Sequence, residues 1–244
     1  MVDNFNSDVL LKGIVPFLGC TVSCLMYMSP LNAVQHANGT KILGDLNPLP
    51  FSITICSSTV WFVYGLLKRD MFVCCPNMLG ILLAFYSVLS TYALANERLQ
   101  RRMRVLLCSE CSILLLLGLT SSFWATSVQE QMVLWGLAGN LTTVCYFGAP
   151  LSTMTEVIRT RNSASILRPL TTMNTASASL WTAYGLALAD AYIYIPNTIG
   201  LGLSCTQLSL ACLFPSRQRH ITPQHHAGLH LHGGSTTPHD KQGA

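Results

Sequence analysis

Charge is scarce in this sequence. Asp, Glu, Lys and Arg make up 10% of the 244 residues, and half of the chain is hydrophobic. A soluble domain carries about 25% charged residues, so a water-soluble surface is excluded. Acids are scarcest inside the apolar stretches, where only Glu110 lies well within one. Carriers coupled to protons or ions bury titratable groups in the membrane, so their scarcity here argues against such coupling. No ATP-binding P-loop is present. Neither a nucleophile–base pair, a metal cluster nor a matched pair of carboxylates appears, so the chain is not read as an enzyme and no cofactor or metal is expected. A basic flank before the first apolar run is also missing. Asp3 and Asp8 precede or enter it, with Lys12 alone as a cation, so the run is read as a retained span rather than a signal peptide.

What the chain has instead is seven apolar runs: Leu10–Met28, Leu49–Leu67, Met71–Leu94, Val105–Ala125, Met132–Leu151, Leu170–Leu188 and Ala191–Phe214. Each approaches the roughly 20 residues a helix needs to cross a bilayer core. Counting cations between the runs separates two sides. One holds Lys41, Arg98, Arg101, Arg102, Arg104, Arg159, Arg161, Arg168, Arg217, Arg219 and Lys241; the other holds Lys12, Lys68 and Arg69. Lys and Arg concentrate in cytoplasmic loops, which predicts an outside N-terminus and a cytosolic C-terminus. The densest stretch, "ERLQRRMR" (97–104), abuts a span and is read as this topology signal, not as a nucleic-acid patch.

The ten cysteines lie mostly inside apolar runs, where cysteine acts as a small hydrophobe, and Cys108/Cys111 has no partner pair. Residues 215–244 are rich in His, Gly, Pro and Thr and are expected to form a disordered cytosolic tail. His225–His226 and His230/His232 there are read as solvated rather than metal-binding. The sequons at Asn38 and Asn140 fall on the cytosolic side and inside a span, so neither is expected to carry a glycan.

The informative feature is a repeat. "WFVYGLLKRDMFVCCPNMLG" (61–80) returns 120 positions later as "WTAYGLALADAYIYIPNTIG" (181–200), with Trp, Tyr-Gly-Leu, Asp, Pro-Asn and Gly in register. The same offset joins Gly19 to Gly139, Pro30 to Pro150, Leu31 to Leu151, Thr40 to Thr160 and Ser57 to Ser177. The expected fold is an all-α membrane protein of seven helices in a 3+1+3 order. Residues 1–96 form a first three-helix bundle, 97–127 a linker helix and 128–214 a second bundle. Three spans alone would invert the second copy; the linker restores its direction, so the bundles are parallel. Substrate sites of such duplicated carriers lie near midplane between the repeats. Asn77 and Asn197, each following a proline within a span, are the prime candidates to face that site. An amide left unpaired in hydrocarbon costs roughly 2–7 kcal/mol. Trp61 and Trp181 recur likewise, either as interfacial anchors or as flat walls for a sugar ring.

Together "MSPLNAV…NGTKILGDLNPLPF", "PNMLG", "APLSTMTEVIRTRNSAS", "IPNTIG" and the two W-x-x-YG motifs resemble the SWEET (MtN3/saliva) sugar transporters over nearly the whole chain to Phe214. SWEETs are themselves an established example of parallel repeats. The resemblance implies that Asn77 and Asn197 bind sugar hydroxyls while Trp61 and Trp181 stack on the ring. Ser57, Ser177, Ser23, Met26, Thr143 and Tyr146 would line the same pocket. The bulk of Met26 and Tyr146 then favours a monosaccharide over sucrose. It further implies hinges at Pro30, Pro50, Pro150 and Pro169, although Pro169 stands closer to Trp181 than the family pattern has it. Gate pairs Tyr64–Asp190 and Tyr184–Asp70 follow, with Lys68 or Arg69 able to tighten them, as does homotrimer formation. The expected activity is energy-independent, bidirectional sugar uniport by rocking of the two bundles in a bilayer, at the plasma membrane or an endomembrane. The alternatives are a PQ-loop-like carrier of amino acids, some of which use protons, and a seven-span receptor. "SPL" and "APL" replace the Pro-Gln signature of the first. The receptor motifs D-R-Y and N-P-x-x-Y are missing, and the last span has no lysine for a retinal Schiff base.

Overall fold

The computed structural model describes residues 7–216. Asp3, Arg217, Arg219, Lys241 and the histidine-rich stretch beyond residue 216 lie outside the described residues. A π-helical turn, Leu10–Ile14, leads into α1 (Val15–Met28). There follow α2 (Leu31–Thr40), α3 (Leu49–Lys68), α4 (Met71–Tyr92), α5 (Glu97–Phe123), α6 (Val128–Tyr146), α7 (Gly148–Thr160), α8 (Arg168–Ala187) and α9 (Ala191–Leu213). No strand occurs among the described residues. The protein is an all-α membrane protein, with α1–α4 as the first bundle, α5 as the linker and α6–α9 as the second.

Five helical stretches are long and apolar enough to cross a membrane: 7–40, α3, α4, α5 and 128–160. Helices α8 and α9 fall outside that set. Helix α8 carries Thr171, Thr172, Asn174, Thr175, Ser177 and Ser179, several of which line an internal cavity rather than meeting lipid.

The first and fifth spans each run past the end of their apolar stretch. Helix α1 stops at Met28, the chain turns at Ser29–Pro30, and α2 resumes with Pro30 as its N-cap. Helix α6 ends at Tyr146 and α7 begins two residues later, carrying Pro150 in its first turn. Pro30 and Pro150 therefore sit at breaks in their spans. Pro50 and Pro169 occupy the first turns of α3 and α8, where no intrahelical bond is lost. The loosening expected of an interior proline falls instead on Pro76 in α4 and Pro196 in α9.

Backbone geometry repeats as faithfully as the sequence. Lys41 (φ 59°) and Arg161 (φ 53°) adopt the left-handed conformation at the ends of α2 and α7. Arg69 (φ 56°) and Ala189 (φ 51°) adopt it at the short reversals between α3 and α4 and between α8 and α9. In each connection the next residue, Asp70 or Asp190, caps the following helix by accepting from its first backbone N–H groups. Glycine permits the tight crossing. A Cβ on Gly65 would lie 2.9 Å from Cys74 Sγ, and one on Gly185 would lie 2.7 Å from the Tyr194 nitrogen. The "YG…D" part of the motif is thus a hairpin between spans.

Packing follows the two-fold pattern. Within the bundles α3 packs on α4, and α8 on α9. Between them α1 meets α8, and its counterpart α6 meets α3. The linker α5 lies along α3 and α6. It is tied by a Trp135 Nε1–H bond to Ser121 Oγ (3.0 Å) and by an apolar cluster around Ile55, Ala84, Val88 and Met103.

Candidate functional site between the bundles

A cavity of about 720 Å3 lies between the bundles. Its wall includes all of Asn77, Asn197, Trp61, Trp181, Ser57, Ser177, Ser23, Met26, Thr143 and Tyr146. Residues far apart in the chain meet there because each repeated helix turns the same face toward the other bundle.

The amides are held by their own helices. Asn77 Nδ2 donates to the Val73 carbonyl at 2.8 Å, and Asn197 Nδ2 donates to Ile193 at 2.7 Å. The preceding proline disturbs the local backbone ladder, and the amide bonds a carbonyl one turn back beside it. One N–H is thereby fixed, while Oδ1 and the second N–H remain for a ligand. The two sites differ in one respect: Tyr27 donates its hydroxyl to Asn77 Oδ1 at 3.4 Å, whereas the corresponding position in the second half is Phe147.

The tryptophans bridge the bundles, which places them inside the protein rather than at a lipid interface. Trp61 Nε1 donates to Thr143 Oγ1 (3.3 Å), and Trp181 Nε1 donates to Ser23 Oγ (3.0 Å). Their indoles rest on the repeated glycines of the facing helices. A Cβ on Gly139 would stand 2.9 Å from Trp61 Cε2, while one on Gly19 would stand 3.4 Å from Trp181 Cε2. Gly139→Ala is therefore expected to push Trp61 off its seat at a cost of about 1–3 kcal/mol and to cut transport several-fold. Gly19→Ala should stay near wild type. Initial-rate uptake at matched surface expression checks this, and equal effects of the two substitutions would refute it.

Three residues beyond each tryptophan, hence on the same helical face, a tyrosine reaches across to an aspartate of the other bundle. Tyr64 donates to both Asp190 oxygens (2.9 and 2.8 Å), and Lys68 pairs with Asp190 Oδ2. Tyr184 donates to Asp70 Oδ2 at 2.8 Å. The rings repeat as well: Trp61–Tyr64 and Trp181–Tyr184 pack edge-on at 5.6 and 6.0 Å. Tyr64–Tyr192 and Phe72–Tyr184 form a second matched pair. Arg69 forms no ion pair among the described residues, so of the two neighbouring cations Lys68 reaches Asp190.

At the opposite end the cavity reaches Ser165–Leu167 in the α7–α8 connection, where Leu167 is exposed. This is the side that carries Arg159, Arg161 and Arg168. The wall near this end includes Asn174, Thr171, Ser204 and Gln207, which the repeat does not reveal because their counterparts are Thr54, Phe51, Ala84 and Ser87. Tyr27 escaped for the same reason. Glu110 is buried on α5 with Oε2 unpartnered among the described residues, and it is not part of the cavity wall.

Two parallel three-helix repeats, a linker helix and a shared cavity that carries a matched pair of amides define a polytopic membrane protein built by internal duplication. The family model described as "Sugar efflux transporter for intercellular exchange" matches this chain twice, at residues 14–99 and 133–219, and the chain belongs to this SWEET (MtN3/saliva) family. It is 27% identical over 213 residues to Sugar transporter SWEET1 of Drosophila pseudoobscura pseudoobscura, covering 87% of this chain and 89% of that one. It is 28% identical to Bidirectional sugar transporter SWEET11 of Arabidopsis thaliana, covering 86% and 73%. The solved 3.7 Å structure of a eukaryotic SWEET transporter shares the fold, with a TM-score of 0.72 at 21% identity, over 82% of this chain and 96% of that one.

Proposed function

We propose that this protein is a passive, bidirectional sugar uniporter that favours a monosaccharide over sucrose and works by alternating access. The observation that carries the reading is the pair of matched amides, Asn77 and Asn197, on the wall of one cavity whose far end is latched by Tyr64–Asp190 and Tyr184–Asp70. Sugar hydroxyls need both donors and acceptors, which an amide supplies, and the apolar faces of a pyranose suit the indoles of Trp61 and Trp181. Partial filling of the central chamber by Met26 and Tyr146 supports the smaller substrate. With the arginine-rich side in the cytosol, the described conformation is open inward and closed outward. The matched latches release, and the bundles pivot near Pro30 and Pro150, to expose the same amides to the other side.

Passive transport is supported by the composition of the wall: among the described lining residues none is acidic, basic or histidine. Radiolabelled glucose, fructose and sucrose uptake in transport-deficient cells, and counterflow in proteoliposomes, test the proposal. Glucose should equilibrate at equal pH on both sides and in the presence of a protonophore. Uptake that collapses without a pH gradient would reject passive transport. Amino-acid exchange with no sugar counterflow would favour the PQ-loop-like alternative.

A further inference from the structure

Below the amide pair the two halves cease to match. The cavity-facing side of α9 runs Asn197, Gly200, Ser204, Gln207, and that of α8 runs Asn174, Thr171 toward the open end. In the first bundle the corresponding residues include Ala84 and Phe51, and Ser87 spends its hydroxyl on the Leu83 carbonyl. Gln207 is 8% exposed and lines the cavity, and its amide has no hydrogen-bond partner among the described residues. The Asn174 amide on the same wall is likewise without one. The polar atoms of both amides are open to the cavity rather than sealed in apolar protein, so they can exchange water for the hydroxyls of a ligand. Ser204 and Thr171 donate to their own helix carbonyls and keep acceptor lone pairs. At 1.5 Å per residue, Ser204 and Gln207 lie about 10 and 15 Å along α9 from Asn197. That is too far for one monosaccharide to touch both levels.

We infer that Asn174, Thr171, Ser204 and Gln207 form a second, weaker subsite for a polyhydroxylated ligand. It is built by the second bundle alone and holds a sugar molecule at the open end before or after it visits the amide pair. The inference rests on the sugar-transport reading above. Its chemistry is that of a lectin-like groove, with two neutral carboxamides and two hydroxyls presenting both donors and acceptors and no charge. Because the first bundle offers no equivalent wall, the transporter is asymmetric: sugar arriving from the arginine-rich side meets an antechamber with its own affinity.

Equilibrium binding of D-glucose and of sucrose to the purified full-length protein in nanodiscs, followed by titration calorimetry, tests this. The wild type should give a two-phase isotherm with at least one of the sugars. Gln207→Met, which keeps the length and removes the amide, and Asn174→Leu should each weaken the low-affinity phase about tenfold or more and leave the other phase in place. The double variant Asn77→Ala/Asn197→Ala should do the reverse. Ser87→Ala, at the first-bundle counterpart, serves as the control and should change neither phase. A single-phase isotherm that Gln207→Met leaves unaltered would overturn the subsite while leaving the central site standing. A high-affinity phase that survives loss of both central amides, with the low-affinity phase still sensitive to Gln207→Met, would overturn the central reading and keep the subsite. Failure of both sugars to bind the wild type overturns both.

Discussion

Asp190→Ala is expected to reduce initial glucose uptake to about a hundredth of wild type or less at unchanged surface expression. The Asp190 side chain is 2% exposed and receives Tyr64 on both oxygens and Lys68 on one. Its removal strands the Tyr64 hydroxyl and a lysine whose side chain is only 24% exposed. Breaking a buried pair from one side costs about 3–5 kcal/mol, enough to shift a two-state equilibrium by more than a hundredfold. In the proposed cycle, where each end must close in turn, the carrier is then limited by a rare conformer. Asp190→Asn keeps an acceptor for Tyr64 and the helix cap but loses the charge facing Lys68, so it should retain more activity. Asp70→Ala should be milder than Asp190→Ala, because Asp70 takes one tyrosine and no lysine. Near-normal uptake by Asp190→Ala, or equal losses at both aspartates, would contradict this account.

Asn197→Ala should lower uptake about 10- to 100-fold, and the double variant with Asn77→Ala should bring it to background. Each amide offers Oδ1 and one N–H to a ligand, and stranding hydroxyls in a buried site costs about 1–3 kcal/mol per lost group. Asn197 should be the more sensitive of the two. Its Oδ1 has no neighbour like Tyr27, which already engages Asn77 Oδ1 and also accepts from Ser58. Structural damage is separated from loss of binding by the thermal unfolding of each purified variant with and without sugar. A binding defect leaves the apo midpoint near wild type and removes the sugar-induced rise. Uptake by the double variant at wild-type rates would remove the central premise of the proposed function.

Much of this was legible because duplication writes each constraint twice. Trp61 and Trp181 and the Tyr and Asp residues recur because each makes the same contact on the opposite bundle, while the hairpin glycines and the Pro-Asn pairs recur because each serves its own bundle in the same way. The residues that escaped are those where the copies diverged: Tyr27 against Phe147, Asn174 against Thr54, Gln207 against Ser87. Helix length escaped for another reason. Hydropathy reports where lipid is, so the apolar runs stop near Met28 and Leu151, while the helical backbone continues to Thr40 and Thr160. The Gly19 and Gly139 seats were visible as a repeat, but their purpose was not, since nothing in the sequence says which aromatic ring lies across the interface.

Asp70 divides its two oxygens between different tasks. Oδ1 accepts from the Phe72 and Val73 amides of its own helix, while Oδ2 receives the hydroxyl of Tyr184 from the other bundle. When that hydroxyl withdraws, the start of α4 keeps its anchor, and water need satisfy only a single lone pair. In the proposed cycle the catch can thus engage and disengage over many turnovers without fraying the element that carries it, as a ratchet tooth does when it is cut from the same piece as its wheel.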